Sequence, residues 1–352
     1  MGGYARLLCI DGGGIRGVIP ASALVALEER LGAPIASGFD LVVGTSTGGI
    51  IAAGLTRPGT PMTSAEMLEF YRKDGPRIFD RSFWKTVRTA GGAIDEKYDA
   101  AVLESVMEDC FGQTRLSESG PAELLITAYD IEARAPVFFK SWRARGRGIG
   151  GGGPPVESYD FLLKDICRAT CAAPTYFEPA LIENRAATPH ALIDGSVVAA
   201  NPTMCAIASA HRLFPGANGL LVLSIGTGQR QDPISYEKAR HWGLMGWARP
   251  ISDVILDAVS ATVDYQAAEI VGDTYFRLQI PLHPDGEMAV EEEMRLDNAH
   301  PRNIARLEAA AARMLTERAS VIERFCDLHR ALPRFSMSWM DDGRFGPSGG
   351  IF

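Results

Sequence analysis

The sequence lacks several features that define large classes of protein. It carries a net charge of −8 and no long basic run, so a nucleic-acid polymer is not an expected partner. The longest weakly apolar stretch, 41–55, is short and contains Gly, Ser and Thr, so no membrane-spanning helix is predicted. The N-terminus enters an apolar run directly, without a charged and then apolar leader.

Cysteine is sparse and scattered. No Cys-x-x-Cys spacing occurs, and most of the six cysteines sit in apolar segments: Cys9, Cys110, Cys167, Cys171, Cys205 and Cys326. This distribution predicts small core residues rather than a disulfide framework or a metal site. We therefore expect a reducing, cytoplasmic setting and neither a metal nor another cofactor.

What the sequence does contain is a repeated order of apolar run, glycine-rich turn and helical periodicity. Residues 6–10 and 41–44 are predicted strands, and each leads through a glycine-rich turn into a helix. Further strands are predicted at 123–131, 136–142, 190–194 and 219–228. Continuous apolar strands between helices favour a mainly parallel sheet covered on both faces. The expected fold class is therefore α/β, a three-layer sandwich with a mainly parallel central sheet.

The segment LVVGTSTGG ends in a Gly-x-Ser-x-Gly pattern, with Ser46 between Gly44 and Gly48. This pattern is typical of a serine held on a sharp strand-to-helix turn and exposed as a nucleophile. The alternative is a glycine-rich turn with a capping serine. A neutral hydroxyl attacks poorly, so nucleophilic chemistry requires a nearby group that removes its proton.

A second glycine-rich turn, DGGGIRG, follows the first predicted strand and opens a helix. Its consecutive Gly12, Gly13 and Gly14 allow backbone N–H groups to approach a bound atom closely. The loop either holds a phosphate or stabilises the oxyanion of an acyl-transfer transition state. Arg16 either pins a lipid phosphate or supports the loop through a carboxylate.

A nucleotide-binding protein is an alternative that fits this loop less well. Gly12, Gly14 and Gly17 satisfy G-x-G-x-x-G, but no acidic residue follows at the end of a second strand, and the P-loop Lys-Ser/Thr pair is missing. The oxyanion interpretation also links the two motifs. Both lie at the carboxyl ends of predicted strands, where open α/β sheets bind ligands.

The base that activates Ser46 is predicted to be a carboxylate. None of the six histidines lies in a recognisable motif: His190, His211, His241, His283, His300 and His329. Asp194 follows the apolar run ALI and precedes Gly195, so it should project from the carboxyl end of a strand. Partial burial would raise its proton affinity. A Ser-His-Asp triad with an essential histidine stays open as an alternative.

Several motifs taken together resemble the patatin-like phospholipases. They are DGGGIRG, GTSTGG, AAPTYF, DGSVVAANP and LSIGTG, and they occur in that family's order over roughly residues 6–280. The resemblance implies a Ser–Asp dyad of Ser46 and Asp194, without a catalytic histidine or a metal. It also implies an oxyanion loop at Gly12 to Gly14, with Arg16 as its basic residue. The implied reaction is hydrolysis of acyl esters of phospholipids and related lipids through an acyl-serine intermediate.

Two positions depart from the family's common pattern. Ser196 stands where Gly is usual, and Ala200 stands where the first Asn of an Asn-Asn-Pro is often seen. Ser196 either hydrogen-bonds near Asp194 and alters its pKa or is simply tolerated. Neither change removes a catalytic group.

The domain organisation expected from this resemblance is simple. A patatin-like catalytic domain should span residues 1–300, and one long helix beginning near Ile304 should form a C-terminal extension over 301–334. Residues 335–352 lack periodicity and are expected to form a surface tail.

The expected partners are a phospholipid or other acyl-ester lipid and, transiently, a membrane surface, which the protein would reach from the cytoplasm. Some bacterial patatin-like proteins of this compact size are lipases switched on by cyclic nucleotides in antiphage (antiviral) defence. Such a cyclic-nucleotide activator and a homo-oligomer are alternatives here, although no residue identifies a nucleotide site. A pure binding module is the least favoured hypothesis.

Two groups of side chains are candidates for contact with lipid, and each has a structural alternative. The first comprises the arginines beside the glycine-rich segment 144–155: Arg143, Arg145 and Arg147. Their alternative is a solvated, mobile loop. The second group is aromatic: Phe79, Phe83, Trp84, Trp242 and Trp247. Such clusters more often belong to the core.

Overall fold

The computed structural model describes residues 2–80, 98–147, 156–230, 233–247, 250–282 and 295–336. The strands are β1 Tyr4–Ile10, β2 Leu41–Thr45, β3 Glu123–Asp130, β4 Ala135–Lys140, β5 Ala180–Glu183, β6 Pro189–Asp194, β7 Gly219–Ile225, β8 Gln229–Arg230, β9 Tyr275–Leu278 and β10 Pro281–Leu282. The helices are α1 Val18–Leu31, α2 Thr47–Leu55, α3 Ser64–Lys73, α4 Gly75–Ile78, α5 Ala100–Phe111, α6 Ser141–Ala144, α7 Leu163–Thr170, α8 Ser196–Ala199, α9 Thr203–Leu213, α10 Tyr236–Ala239, α11 Leu244–Trp247, α12 Pro250–Val271, α13 Pro301–Glu317 and α14 Ala319–Ala331.

The main sheet has eight strands, with the order β5-β6-β3-β2-β1-β7-β9 and β4 paired to β3. The strands β3, β2, β1, β7 and β9 are parallel to one another. The strands β4, β5 and β6 join through antiparallel pairs. A small second sheet pairs β8 with β10. The mainly parallel sheet expected from the apolar runs is confirmed, with an antiparallel flank at one end.

Helices cover both faces of this sheet. Alternate side chains of a strand point to opposite faces, and β1 shows this clearly. Leu8 and Ile10 belong to the larger core cluster, together with residues of α1, α2, α5 and α7. Leu7 and Cys9 belong to a second cluster with residues of α9 and α12. The sheet is therefore the middle of three layers, as expected.

The edge of β3 explains how two distant segments meet. β4 pairs with Leu125–Asp130 along one edge of β3. β2 pairs with Glu123–Thr127 and β6 with Ala128–Asp130, so both must lie along the other edge. Because β2 is parallel to β3 and β6 is antiparallel, the two strands approach each other head-on. Their carboxyl ends, Thr45 and Asp194, therefore come together.

The C-terminal extension contains two helices where one was expected. α13 and α14 meet at Arg318, whose φ of −105° and ψ of 17° interrupt the helix. Neither glycine nor proline marks this break in the sequence, so helical periodicity alone does not reveal it. The break lets α13 pack on α1, while Phe325 of α14 stacks on Phe39 with ring centroids 6.2 Å apart. A domain boundary at residue 300 stays a prediction.

Three sequence expectations concern features outside the site. All six cysteines carry free thiols. Phe335, in the segment expected to be a surface tail, is buried against Phe214, whereas 337–352 lie outside the described residues. Within the described ranges, no helix is long and apolar enough to cross a membrane.

Candidate active site

Ser46 occupies the sharp turn between β2 and α2. Its backbone has φ 53° and ψ −125°, a conformation that costs a non-glycine residue about 1–3 kcal/mol. Gly44 and Gly48 make the turn possible. A Cβ on Gly44 would lie 2.0 Å from the Gly48 carbonyl oxygen, and one on Gly48 would lie 2.2 Å from the Ile10 carbonyl oxygen. The strand-turn-helix context that the Gly-x-Ser-x-Gly pattern requires is therefore present.

The Ser46 hydroxyl donates a hydrogen bond of 2.7 Å to Oδ2 of Asp194, which lies 148 positions away in the sequence. Both side chains are buried. Thr170, at the end of α7, holds the turn from behind. Its hydroxyl accepts the Ser46 N–H over 2.8 Å and donates to the Thr127 carbonyl over 2.7 Å. No sequence pattern identifies Thr170, because a threonine late in a helix belongs to no motif.

The second carboxylate oxygen of Asp194 is also engaged, since Oδ1 accepts the backbone N–H of Ser196 over 2.7 Å. Burial raises the pKa of Asp194 to about 6, although hydrogen bonds from Ser196 and Ser46 act in the opposite direction. The carboxylate is ionised at neutral pH yet accepts a proton more readily than an exposed aspartate. Of the two interpretations of Ser196, the geometry supports hydrogen bonding to Asp194. Gly195 allows the close packing of this segment, because a Cβ there would lie 2.3 Å from the Thr127 carbonyl oxygen.

The loop of Gly12, Gly13 and Gly14 lies beside the serine, since a Cβ on Gly12 would be 3.4 Å from the Ser46 Cβ. The Gly12 N–H is already engaged, because it donates to the Ala200 carbonyl over 2.9 Å. Among the described residues, the N–H groups of Gly13 and Gly14 have no hydrogen-bond acceptor. Gly14 also has a φ of 55°, which glycine adopts without strain. Of the three amides expected to bind an oxyanion, the Gly12 N–H is therefore already engaged, and those of Gly13 and Gly14 remain as candidates.

Arg277 of β9 anchors the start of the same loop. Its guanidinium donates to both carboxylate oxygens of Asp11, over 3.0 Å and 2.5 Å, and to the Ser224 hydroxyl over 2.7 Å. Burial raises the pKa of Asp11, and the Arg277 charge opposes that shift. Because Asp11 directly precedes the glycines, this ion pair fixes the point at which the loop leaves β1. Arg277 lies 266 positions from Asp11 and in no motif, so the sequence gives no sign of it.

Arg16 is half-buried in the short helical turn Gly14–Gly17. Burial raises the pKa of the Tyr176 hydroxyl, and Arg16 and Asp253 are among the charged groups near enough to act on that pKa. Arg16 therefore lies in the neighbourhood of Tyr176 in the AAPTYF segment. Both of its predicted roles, binding a lipid phosphate and supporting the loop, stay predictions.

No histidine hydrogen-bonds to Ser46 within the described part of the chain. His190 faces Asp130 over 3.3 Å, and His329 bonds a backbone carbonyl near the C-terminal helices. His283 lies outside the described residues. The geometry of the described histidines gives the triad alternative no support.

The arginines considered for lipid head groups serve the opposite end of the sheet. Arg145 and Arg147 both pair with the buried carboxylate of Glu123, at the amino end of β3. Arg143 lies over the Tyr159 ring, 5.4 Å from its centroid. Glu123 balances only one of these two positive charges, and both arginines have a structural role in holding it, so a head-group role for Arg145 and Arg147 stays a prediction.

The aromatic candidates divide between core and surface. Phe79 packs against the core, as the structural alternative proposes. Trp242 and Trp247 form an edge-to-face pair, 5.2 Å between centroids, on a partly exposed segment. Phe83 and Trp84 lie outside the described residues.

The sheet topology and the Ser46 turn place this protein among the three-layer α/β enzymes that carry a serine on a strand-to-helix turn. A family model described as patatin-like phospholipase matches residues 8–207, more than half of the chain. The chain belongs to that family, and its reaction class is the hydrolysis of lipid esters.

Two plant relatives agree with this assignment. Patatin-like protein 1 of Oryza sativa subsp. indica is 32% identical over 91% of this chain and 83% of its own length. Patatin-like protein 3 of Arabidopsis thaliana is 33% identical over 76% of this chain and 71% of its own. Among solved structures, VipD from Legionella pneumophila aligns with 89% of this chain and 67% of its own, at 12% identity and a TM-score of 0.40.

Proposed function

We propose that this protein is a lipid acyl hydrolase of the phospholipase A or lysophospholipase type, with Ser46 as nucleophile and Asp194 as general base. The observation that carries the proposal is the 2.7 Å hydrogen bond from the Ser46 hydroxyl to the Asp194 carboxylate. It joins the attacking oxygen directly to a group that accepts its proton. No third residue is required between them.

The reaction proceeds in two halves. Ser46 Oγ attacks the acyl carbonyl carbon as Asp194 takes its proton, and Asp194 then gives that proton to the departing alcohol oxygen. The product of this half is an acyl ester on Ser46. A water molecule then attacks the acyl carbon and gives a proton to Asp194. Collapse of this adduct breaks the Ser46–acyl bond, returns a proton to Ser46 Oγ and releases the fatty acid.

Two features of the site support a mechanism in which Asp194 is the base and backbone amides stabilise the oxyanion. The raised pKa of Asp194, about 6, makes it a stronger base than an exposed aspartate but still a weak one for a serine. The remaining stabilisation must fall on the oxyanion. The N–H groups of Gly13 and Gly14 are the donors we assign to it, because the Gly12 N–H is bound to the Ala200 carbonyl.

Activation by a cyclic nucleotide and a role in antiphage defence stay predictions from the family resemblance. No contact among the described residues favours them over constitutive activity. Assays of the same enzyme with and without cyclic di- and trinucleotides test that regulation directly.

The decisive experiment compares two variants with the wild type. Ser46→Ala and Asp194→Ala should each lower turnover by about 10⁴-fold or more while the far-UV circular dichroism is unchanged. Fatty-acid release from phospholipids is followed by mass spectrometry, and p-nitrophenol release from soluble acyl esters by absorbance. The control is Ser22→Ala, which removes a hydroxyl that bonds only within α1. Near-normal turnover by Asp194→Ala would refute the dyad, and loss of turnover on replacing a histidine would favour the triad.

A further inference from the structure

The solvent side of α12 carries many large apolar side chains, together with the exposed polar residues Gln266 and Glu269. Large hydrophobic side chains there are 38–66% exposed: Ile251, Val254, Ile255, Val259, Tyr265 and Ile270. At about 100° per residue, these positions fall within an arc of about 160°. Asp253, Asp257 and Asp264 fall on the opposite side of the helical wheel. Asp253 is exposed, whereas Asp264 accepts a hydrogen bond from the Tyr275 hydroxyl over 2.6 Å. The buried Ala267 lies on that inner side too.

The neighbouring α11 extends this apolar side. Leu244 is 88% exposed and Met245 is 89% exposed, more than any other large hydrophobic residue in the described part of the chain. We call Leu244, Met245, Ile251, Val254 and Ile255 the outer apolar surface. Large exposed apolar patches are a common feature of interaction sites on soluble proteins.

Strand order places the outer apolar surface at the edge of the sheet that carries Ser46. β7 is parallel to β1 and β2, so it ends at the same carboxyl edge as β2. β9 is parallel to β7, so α12 must run back toward the amino edge before β9 begins. α11 and the first turns of α12 therefore lie near the site. Asn201 contacts the Ser260 carbonyl over 3.5 Å, and Asp253 acts on the pKa of Tyr176, in agreement with this placement.

We propose that the outer apolar surface docks on a lipid bilayer and thereby brings Ser46 to membrane lipids. The inference rests on the proposed function, because it describes how the enzyme reaches phospholipids that are part of a membrane. The segment 236–250 contains three basic residues and one acidic residue, a local charge of +2 on a chain of net charge −8. That excess favours anionic head groups. The Trp242–Trp247 pair suits the polar–apolar boundary of a membrane.

Geometry favours a bilayer over a second copy of the chain. A second copy on the outer apolar surface would cover the carboxyl edge of the sheet, through which a lipid must reach Ser46. A bilayer in the same place supplies the substrate and buries the exposed side chains at once.

The test measures binding separately from turnover. All binding variants carry Ser46→Ala, so vesicles stay intact, and co-sedimentation is measured with vesicles of phosphatidylcholine alone and with a quarter of phosphatidylglycerol. The double substitution Leu244→Glu, Met245→Glu should weaken vesicle binding by about tenfold or more. In the active enzyme it should lower phospholipid hydrolysis in vesicles similarly and leave hydrolysis of a soluble p-nitrophenyl ester unchanged. The matched control is Leu181→Glu, because Leu181 is 74% exposed on β5, at the other end of the sheet.

Each outcome decides between the two proposals. Equal vesicle binding by the double variant and the control would overturn the docking surface, whatever the turnover. Loss of an oligomer in sedimentation velocity, with vesicle binding unchanged, would assign the surface to self-association and also overturn it. An enzyme that cleaves no ester but loses vesicle binding on the double substitution would keep the docking surface and refute the proposed reaction.

Discussion

The helices α12 and α13 follow opposite rules. In α13 the apolar positions Ile304, Leu307 and Met314 are buried, while charged residues such as Arg313 face solvent. In α12 several large apolar side chains, such as Ile255, face solvent, while Asp264 bonds to Tyr275 of the neighbouring strand. Hydrophobic burial accounts for the orientation of α13, because its large apolar side chains gain by leaving water. It does not account for the exposed large apolar side chains of α12.

The contrast separates residues that stabilise the fold from residues whose conformation or environment lowers its stability. Ser46 belongs with α12 in the second group, because its backbone is held at φ 53°. Asp194 belongs there too, because its carboxylate is ionised while buried. Sites of function are often where stability is given up. Substitutions in the first group should therefore lower stability strongly, whereas those in the second should change it little or raise it.

The largest stability difference is expected between one leucine of α13 and one isoleucine of α12. Leu307→Asp places a charge in the core and should lower the free energy of unfolding by about 4 kcal/mol or more. Ile255→Asp, on a side chain 53% exposed, should change it by less than about 0.5 kcal/mol. Urea denaturation followed by circular dichroism measures both, with Leu307→Met as a conservative control. Comparable losses would show that the outer side of α12 packs against protein.

A smaller effect of opposite sign is expected at the site. The ordinary pKa of an aspartate is about 4, whereas that of Asp194 is about 6. Between these values folding takes up a proton, so wild-type stability falls as the pH rises through this window and is about 3 kcal/mol lower above it. Asp194→Asn cannot ionise. It should be inactive, more stable than the wild type at pH 8, and similar to it near pH 4.

Denaturation curves at the two pH values test this sign. Asp109→Asn, in the exposed part of α5, controls for the loss of one negative charge elsewhere on the protein. A variant at Asp194 that is less stable than the wild type at pH 8 would show that the ionised carboxylate supports the fold.

Local features of the site follow from the sequence, and long-range ones do not. The turns around Ser46 and Gly12 to Gly14 are predictable, because glycines after an apolar strand determine the backbone locally. The position of Asp194 at a strand end is predictable for the same reason. The head-on meeting of β2 and β6 is not, because it depends on which edge of β3 each strand pairs with. The Asp11–Arg277 ion pair joins residues 266 positions apart, and no local pattern records it.

The orientation of α12 shows a second limit of sequence analysis. A helical apolar stripe normally predicts a face turned toward the core. In α12 apolar residues occur on both sides, so that rule does not predict the exposure of Ile251, Ile255 and Ile270. Periodicity predicts which residues share a face of the helix. Whether that face packs on the protein, contacts solvent or binds a partner depends on the rest of the molecule and on what it binds.

The smallest expected effect distinguishes a tuning role of Ser196 from a passive one. Its hydroxyl is one of the groups that lower the pKa of Asp194, while its backbone N–H, 2.7 Å from Oδ1, is retained in Ser196→Ala. Removing the hydroxyl should raise the pKa of Asp194 by less than about one unit. The base must be ionised to act, so the acid limb of kcat/KM for a soluble ester, near pH 6 in the wild type, should move to higher pH. Turnover at pH 8 should change by less than about twofold, because Asp194 is ionised there in both proteins. The control Ser22→Ala should leave the pH profile of kcat/KM unchanged. If the acid limb of Ser196→Ala is unchanged or moves to lower pH, the hydroxyl does not stabilise the Asp194 carboxylate.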